Sequence, residues 1–304
     1  MQHIKNIAIL GAGAMGSFFA SRFSDVPEFT TSLVAGGERG RRLSRDGLVV
    51  NGKACSVAVS DPDQVHEPAD LIIVALKHHH LPQAIGDLKN LVGENTTIIS
   101  IMNGLDSEPY IGSVYGMDKV LYAVSVGIDA LRDGNRVSYS KPGTHFFGEA
   151  VNETPGERVR RVQKAFDQAG IAYETPEDMI RIMWWKFMVN VGMNQASAVM
   201  GATYGVFQVS PDARAVMESL MREVIALARP AGVDLAEKDL DEWDKVLRTL
   251  SPDGKTSMLQ DMEAGRKTEV EVFGGKVVSL SKRYNIPAPV NETFLRIIQV
   301  MENR

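Results

Sequence analysis

The chain has 304 residues, 44% hydrophobic and 23% charged, an ordinary globular composition that excludes a mainly disordered, collagen-like or low-complexity chain. Its length suggests two domains at ~100–200 residues each. Lys and Arg number 33 against 38 Asp and Glu, a net charge of −5, which disfavours nonspecific binding to nucleic acid or to an anionic membrane surface. The single cysteine, Cys55, cannot form an intrachain disulfide or a cysteine-based zinc site and suits a reducing cytoplasm. The alternating run from Cys55 to Ser60 reads as a strand. No apolar run reaches the ~18 residues of a membrane span. The opening run is too short, and too soon broken by glycine, for a secretory leader.

Residues 4–10 are short, apolar and β-branched, and read as a buried strand. They run straight into Gly11-Ala12-Gly13-Ala14-Met15-Gly16 and then into a helical pattern over residues 17–23. Strand, GxGxxG and helix in that order form a dinucleotide-binding turn. Gly11 permits the tight turn, Gly13 lets the backbone approach a pyrophosphate, and Gly16 lets helix and strand pack closely. The free N–H groups at the helix start favour the phosphates. The second strand falls at residues 31–35. No acid follows it at the position that would hold a ribose 2′-hydroxyl, whereas Arg39, Arg41 and Arg42 follow Glu38. Guanidinium groups there suit a 2′-phosphate, so the pattern favours NADPH over NADH.

Residues 71–76 read as another buried strand with Lys77 at its carboxyl end, and residues 96–102 as a further one ending at Asn103-Gly104. Ligands of open α/β sheets bind outside the carboxyl ends of strands, which makes Lys77 and Asn103 candidate cofactor or substrate contacts. His78, His79 and His80 are consecutive, so their side chains cannot all converge on one ion, and no metal is expected. Strands are expected at residues 120–127, 136–140 and 145–148, antiparallel toward one edge. A helix over 157–170 and a last short strand at 171–174 follow. The alternation predicts a doubly wound α/β sheet.

After Thr175-Pro176 the strands stop and helical periodicity takes over. The expected division is an α/β dinucleotide-binding domain over 1–175 and an all-helical substrate and catalytic domain over 176–304. The first helix, residues 176–199, carries Lys186, Asn190 and Asn194 four residues apart, hence on one face, among Met183, Trp184, Trp185, Phe187, Met188, Val189 and Met193. A lysine partly removed from water has a lowered pKa and suits proton transfer near neutral pH. Helices are expected over 211–231 and 236–250. Another starts at Ser257 and continues through Glu271, which places Glu269 about three turns from its start. By spacing alone, Glu269 reads as a surface acid. A last helix follows Pro289 and runs through Met301.

Gly11 to Gly16, Lys77, Asn103-Gly104, the Lys186–Asn190–Asn194 row and Ser257-Met258-Leu259-Gln260-Asp261 leading to Thr268-Glu269 together resemble the ketopantoate reductase (2-dehydropantoate 2-reductase) family over almost the whole chain. The resemblance implies a Rossmann domain followed by a helical domain like that of 6-phosphogluconate dehydrogenase. It also implies NADPH-dependent reduction of a 2-oxo acid in pantothenate, hence coenzyme A, synthesis. Lys186 would be the general acid and Glu269 its catalytic companion, against the reading from spacing. Asn190, Asn194, Ser257 and Asn103 would bind substrate. Gly11, Ala12, Gly13, Ala14, Met15, Gly16, Arg39, Lys77 and Asn103 would hold the cofactor in a cleft between the domains. A cytoplasmic enzyme acting on a small 2-oxo acid, as a homodimer, fits this pattern. The alternatives are a reductase of another branched 2-oxo acid and a non-catalytic NADPH-binding sensor. Two positions depart from the family: Gly36 stands where many relatives have arginine, and Gly254 where many have asparagine.

Overall fold

Successive residues of a strand face opposite sides of a sheet, and the first strand shows what that requires here. In β1 (Asn6–Leu10) Ile7 and Ile9 enter one apolar core while Ala8 and Leu10 enter another. A strand buried on both faces needs an uninterrupted apolar run, and parallel strands covered by helices on both sides supply that setting. The computed structural model describes residues 3–303; the first two residues of the run read for a leader lie outside it. It divides into two compact units, one up to Ile180 and one from Arg181.

The first unit runs β1, α1 (Ala14–Ser24), β2 (Thr30–Val34), α2 (Gly37–Asp46), β3 (Leu48–Val50), β4 (Lys53–Cys55), β5 (Ala58–Ser60), β6 (Leu71–Val74), α3 (Leu81–Ala84), β7 (Thr97–Ser100), α4 (Ser107–Tyr115), β8 (Val120–Ile128), β9 (Leu131–Asp133), β10 (Arg136–Ser138), β11 (Pro142–Gly148), α5 (Glu157–Ala169) and β12 (Tyr173–Glu174). Eight strands form one sheet in the order β12-β11-β8-β7-β6-β1-β2-β5. All its neighbours are parallel except β8 and β11. The carboxyl ends of β1, β6 and β7 therefore lie side by side, where ligands of such sheets bind. One face packs Phe18, Phe19 and Phe23 of α1 against Phe166 of α5, and the other packs Leu81, Ile85, Leu88 and Ile111.

Three local expectations are corrected. The run from Cys55 to Ser60 is two strands in two different sheets, broken at Ser56-Val57. Residues 136–140 do not extend the edge of the main sheet. Their strand β10 belongs to a second sheet, β4-β3-β10-β9, in which β10 runs parallel to β3. Only β11 is antiparallel to its neighbour β8 at the edge, while β8 runs parallel to β7.

The second unit carries the helices α6 (Met179–Met200), α7 (Tyr204–Val209), α8 (Pro211–Ala228), α9 (Glu237–Leu247), α10 (Ser257–Glu263), α11 (Lys276–Tyr284) and α12 (Pro289–Glu302), with α6 beginning two residues before it. Helix α8 starts on Ser210, whose side chain accepts from Ala213 N, with Pro211 in the first turn, a favourable opening because proline has no N–H to leave unpaired. Its Ala213, Met217, Leu220, Val224 and Leu227 form a buried stripe at helical spacing. Helices α7, α9, α11 and α12 pack against α8. A polar seam crosses this core: Gln195 Nε2 donates to Asn291 Oδ1 at 2.9 Å, and Asn291 Nδ2 donates to Glu223 Oε2 at 2.8 Å. No described helix is long and apolar enough to cross a membrane.

Candidate active site

The turn after β1 is built by what its glycines lack. Gly11 has φ +109°, and a Cβ there would overlap the Ala75 carbonyl at the end of β6. A Cβ on Gly16 would overlap the Gly11 carbonyl oxygen. Those two positions let α1 sit directly on the strand ends. A Cβ at Gly13, by contrast, would meet nothing closer than 3.9 Å, so this stretch of backbone is open to a ligand. Gly13 caps α1 without any side-chain hydrogen bond, and the first turn of α1 carries no acid. Unfilled N–H groups and a positive helix end, flanked by Ala12, Ala14 and Met15, fit a pyrophosphate. These residues suit a dinucleotide.

The arginines after β2 lie on α2, and all three are exposed. Arg41 pairs with Glu38 at 2.9 Å, which leaves Arg39 and Arg42. Gly36 caps α2, and a Cβ there would come within 3.2 Å of the Pro62 ring, so a larger residue at 36 crowds Pro62. Arg132 of β9 is a residue that local pattern did not single out. Its guanidinium is pushed below its usual range by desolvation first and then by the Arg39 and Arg42 charges, which places three like charges within electrostatic reach of one another.

Lys77 follows β6 in extended conformation and caps a 3-10 turn made of His78, His79 and His80. Asn103 follows β7 and is partly buried. Among the described residues no group of three or more His, Cys, Asp and Glu could hold a metal ion. Behind the Asn103 segment lies a second residue that sequence pattern did not mark, Glu108, 1% exposed at the start of α4. Burial pushes its carboxyl up to about 7, against opposing hydrogen bonds from Ser107 and from the backbone of Glu108 and Ala123.

In the second unit Lys186, Asn190 and Asn194 all lie on α6. Lys186 is partly buried and desolvation pushes its ammonium down to about 8. Asn190 and Asn194 are both buried. Asn194 Nδ2 donates to Asn190 Oδ1 at 3.3 Å, and Asn194 Oδ1 accepts from Ser257 Oγ at 3.1 Å and from Met258 N at 3.2 Å. The start of α10 is fixed beside α6 by Thr256, its cap, whose hydroxyl takes Leu259 N and gives to Ser197 Oγ at 3.1 Å. Asn190, Asn194 and Ser257 are thus brought together by side-chain bonds, with Lys186 one turn before Asn190.

Glu269 is not on the helix that starts at Ser257, as the spacing predicted. Helix α10 stops at Glu263, and Arg266 folds back on it, with its N–H on the Asp261 carbonyl at 2.8 Å and its Nε on the Asp261 carboxylate at 2.8 Å. Glu269 sits in a bend, partly buried between the buried Thr268 and Val270, and its carbonyl accepts from Val272 N at 3.0 Å. A π-helical turn, Glu271–Gly275, follows at once; such turns are rare and recur at functional sites. At the other departure, a Cβ on Gly254 would come within 2.8 Å of the Tyr204 ring, whose backbone N–H donates to the Gly254 carbonyl at 2.9 Å. A surface cavity of about 600 Å³ lined by Met262, Arg266, Lys267, Glu271 and Gln299 contains none of the predicted site residues.

Residues 7–152 match the family model described as ketopantoate reductase PanE/ApbA, and residues 178–302 the one described as ketopantoate reductase PanE/ApbA C terminal. The chain is 24% identical to a 2-dehydropantoate 2-reductase of Aquifex aeolicus, covering 98% of this chain and 97% of that one. Among solved structures it is similar to a D-mandelate dehydrogenase with NADH and anilino(oxo)acetate, at a TM-score of 0.89, 19% identity and 98% coverage of both chains. It is also similar to a dimeric ketopantoate reductase from Staphylococcus aureus, at a TM-score of 0.80, 20% identity, and 98% and 99% coverage. With both halves matched by the family's models, on a Rossmann-like unit followed by a helical one, the chain belongs to the ketopantoate reductase family of oxidoreductases.

Proposed function

We propose that this protein is a cytoplasmic, NADPH-dependent 2-dehydropantoate 2-reductase that makes pantoate for pantothenate and coenzyme A synthesis. The observation that carries the reading is Lys186, a desolvated lysine with no hydrogen bond or ion pair to any described residue, in line with buried amides on one helix. A cation held without a partner in apolar surroundings is costly, and a carbonyl oxygen gaining negative charge is the partner it suits. Bound NADPH supplies the hydride. Lys186 donates a proton to the carbonyl oxygen as charge develops there. Asn190, Asn194 and Ser257 hold the 2-oxo acid through hydrogen bonds, and Glu269 acts with Lys186 or with the substrate hydroxyl. Gly11 to Gly16, Arg39, Lys77 and Asn103 hold the dinucleotide, with Asn103 also reaching the substrate. The dimeric relative supports a homodimer.

A second reading, a reductase of another 2-oxo acid, is favoured by one observation. The Tyr204 ring stands where a side chain at 254 would project, so an aromatic surface replaces an amide. The fold shared with a D-mandelate dehydrogenase fits that reading. The deciding experiment follows NADPH and NADH absorbance with ketopantoate, 2-oxoisovalerate, pyruvate and phenylglyoxylate. Turnover with ketopantoate and NADPH supports the first reading. Silence there with turnover of another acid supports the second, and cofactor binding without turnover of any acid leaves a sensor.

A further inference from the structure

Ser100, the last residue of β7, and Ser107, the first of α4, are both fully buried. Their hydroxyls form a directed relay. Ser100 Oγ accepts from Met102 N at 3.4 Å and donates to Ser107 Oγ at 2.8 Å, and Ser107 Oγ donates to Glu108 Oε2 at 2.8 Å. The relay starts on the backbone next to Asn103 and ends on a buried carboxyl. The other oxygen, Oε1, is buried with no hydrogen-bond partner among the described residues.

We propose that Glu108 is a positioning residue for Asn103, acting through Ser107 and Ser100 on the backbone of residues 101–106. The functional half of this proposal rests on the reductase reading above. With Glu108 neutral, the relay is intact and nothing charged is buried. Ionisation buries a charge that Ser107 and the backbone N–H groups of Glu108 and Ala123 ease without offsetting the burial, and opening the segment to water relieves that cost. Because the folded carboxyl titrates near 7 and a solvated one near 4.5, opening is favoured as pH rises through 7. The charged and titratable groups around it reinforce that direction. Asp106 repels the ionised form. Tyr122 of β8 is pushed up by burial first and by Glu108 and Glu149 next, while Glu149 is engaged by Arg158. On the adjoining turn Lys119 and Asp118 pair with each other at 3.9 Å. No described cation pairs with Glu108 to hold its charge.

The experiment compares wild type with Glu108→Gln, which keeps an acceptor for Ser107 and removes the titration. Hydrogen exchange of residues 101–106 is read at about pH 6 and about pH 8, corrected for intrinsic rate. Wild type is expected to exchange several-fold faster at the higher pH and Glu108→Gln equally at both. In parallel, the wild-type KM for the 2-oxo acid rises over that interval and the variant's stays flat, while kcat keeps its Lys186 dependence in both. Wild-type pH dependence retained in Glu108→Gln overturns the proposal. Should that variant fail to fold, Ser107→Ala cuts the relay with Glu108 in place. Faster exchange of residues 101–106 at about pH 6 then supports the proposal, and unchanged exchange overturns it. A wild type that turns over no 2-oxo acid defeats the reductase reading alone, because the exchange measurement still decides the role of Glu108.

Discussion

At the scale of single residues, Lys186 carries opposite consequences for stability and for chemistry. Its ammonium is pushed from 10.5 down to about 8 by desolvation. A general acid must be protonated, so reduction is expected to fall as pH rises through about 8, and Lys186→Ala to lower kcat by ~10²–10⁴-fold with the cofactor still bound. The lowered pKa also means that the folded state holds this proton less tightly than the unfolded chain. The stability penalty is therefore full below about 8 and is relieved between 8 and 10.5. Lys186→Met is then expected to raise stability at neutral pH by up to about 3 kcal/mol while lowering turnover as Lys186→Ala does. Urea unfolding beside a kinetic assay checks both halves; a destabilised Met variant contradicts the account of Lys186 as an unpartnered, partly buried cation. Asn194 works the other way. Its carbonyl oxygen takes both Ser257 Oγ and Met258 N, so Asn194→Ala strands two donors and is expected to cost ~1–3 kcal/mol and to raise KM. Asn194→Asp, which keeps the acceptor, should lose less stability.

At the scale of elements, two buried titrating groups in the first unit oppose each other. His145 of β11 is 2% exposed beneath Phe18 and Phe19 of α1, its Nδ1 lies 2.8 Å from Ser125 Oγ, and burial pushes it down to about 4. Its folded pKa lies below its unfolded value, so it subtracts stability as pH falls from 6.5 toward 4. Glu108 lies above its unfolded value and adds stability as pH falls from 7 toward 4.5. Each spans about 3 kcal/mol, so between about pH 6.5 and 4.5 the two nearly cancel. Denaturation at about pH 7, 6 and 5 should show wild type nearly level, His145→Phe gaining stability on acidification and Glu108→Gln losing it. Parallel slopes in all three proteins would sink this account. The pair also shows what local pattern conveys. The glycine turn and the α6 row were legible because each is set by residues within two turns of one another. Glu108 was not legible, since nothing in Asp106-Ser107-Glu108 announces that α4 will bury it against β8. The second sheet was missed for a related reason: its strands are three residues long and β3 finds β10 across more than eighty residues. The early stop of α10 depends on Arg266 turning back onto Asp261, a tertiary choice that helical periodicity over residues 257–271 does not contain.

At the scale of the whole molecule, a chain of net charge −5 must still attract a polyanionic cofactor, and local arrangement answers where total charge does not. Pairing of β3 with β10 sets Arg136 opposite Val49, and Asn135 Nδ2 donates to the Asp46 carbonyl at the end of α2 at 2.9 Å. The hairpin that carries Arg132 is thereby held against the helix that carries Arg39 and Arg42. The mutual repulsion of the three arginines is read in the lowered Arg132 pKa, after desolvation. An anion between them relieves that repulsion, and the ribose 2′-phosphate is the group that separates NADPH from NADH. If the three read that phosphate, Arg132→Ala should raise the KM for NADPH by about 10-fold and leave that for NADH nearly unchanged, with the effect shrinking as salt screens the exposed charges. Arg41→Ala, which removes a guanidinium already paired with Glu38, should change neither cofactor. Equal losses with both cofactors in Arg132→Ala would mean that the hairpin supports the fold of the site and does not read the phosphate.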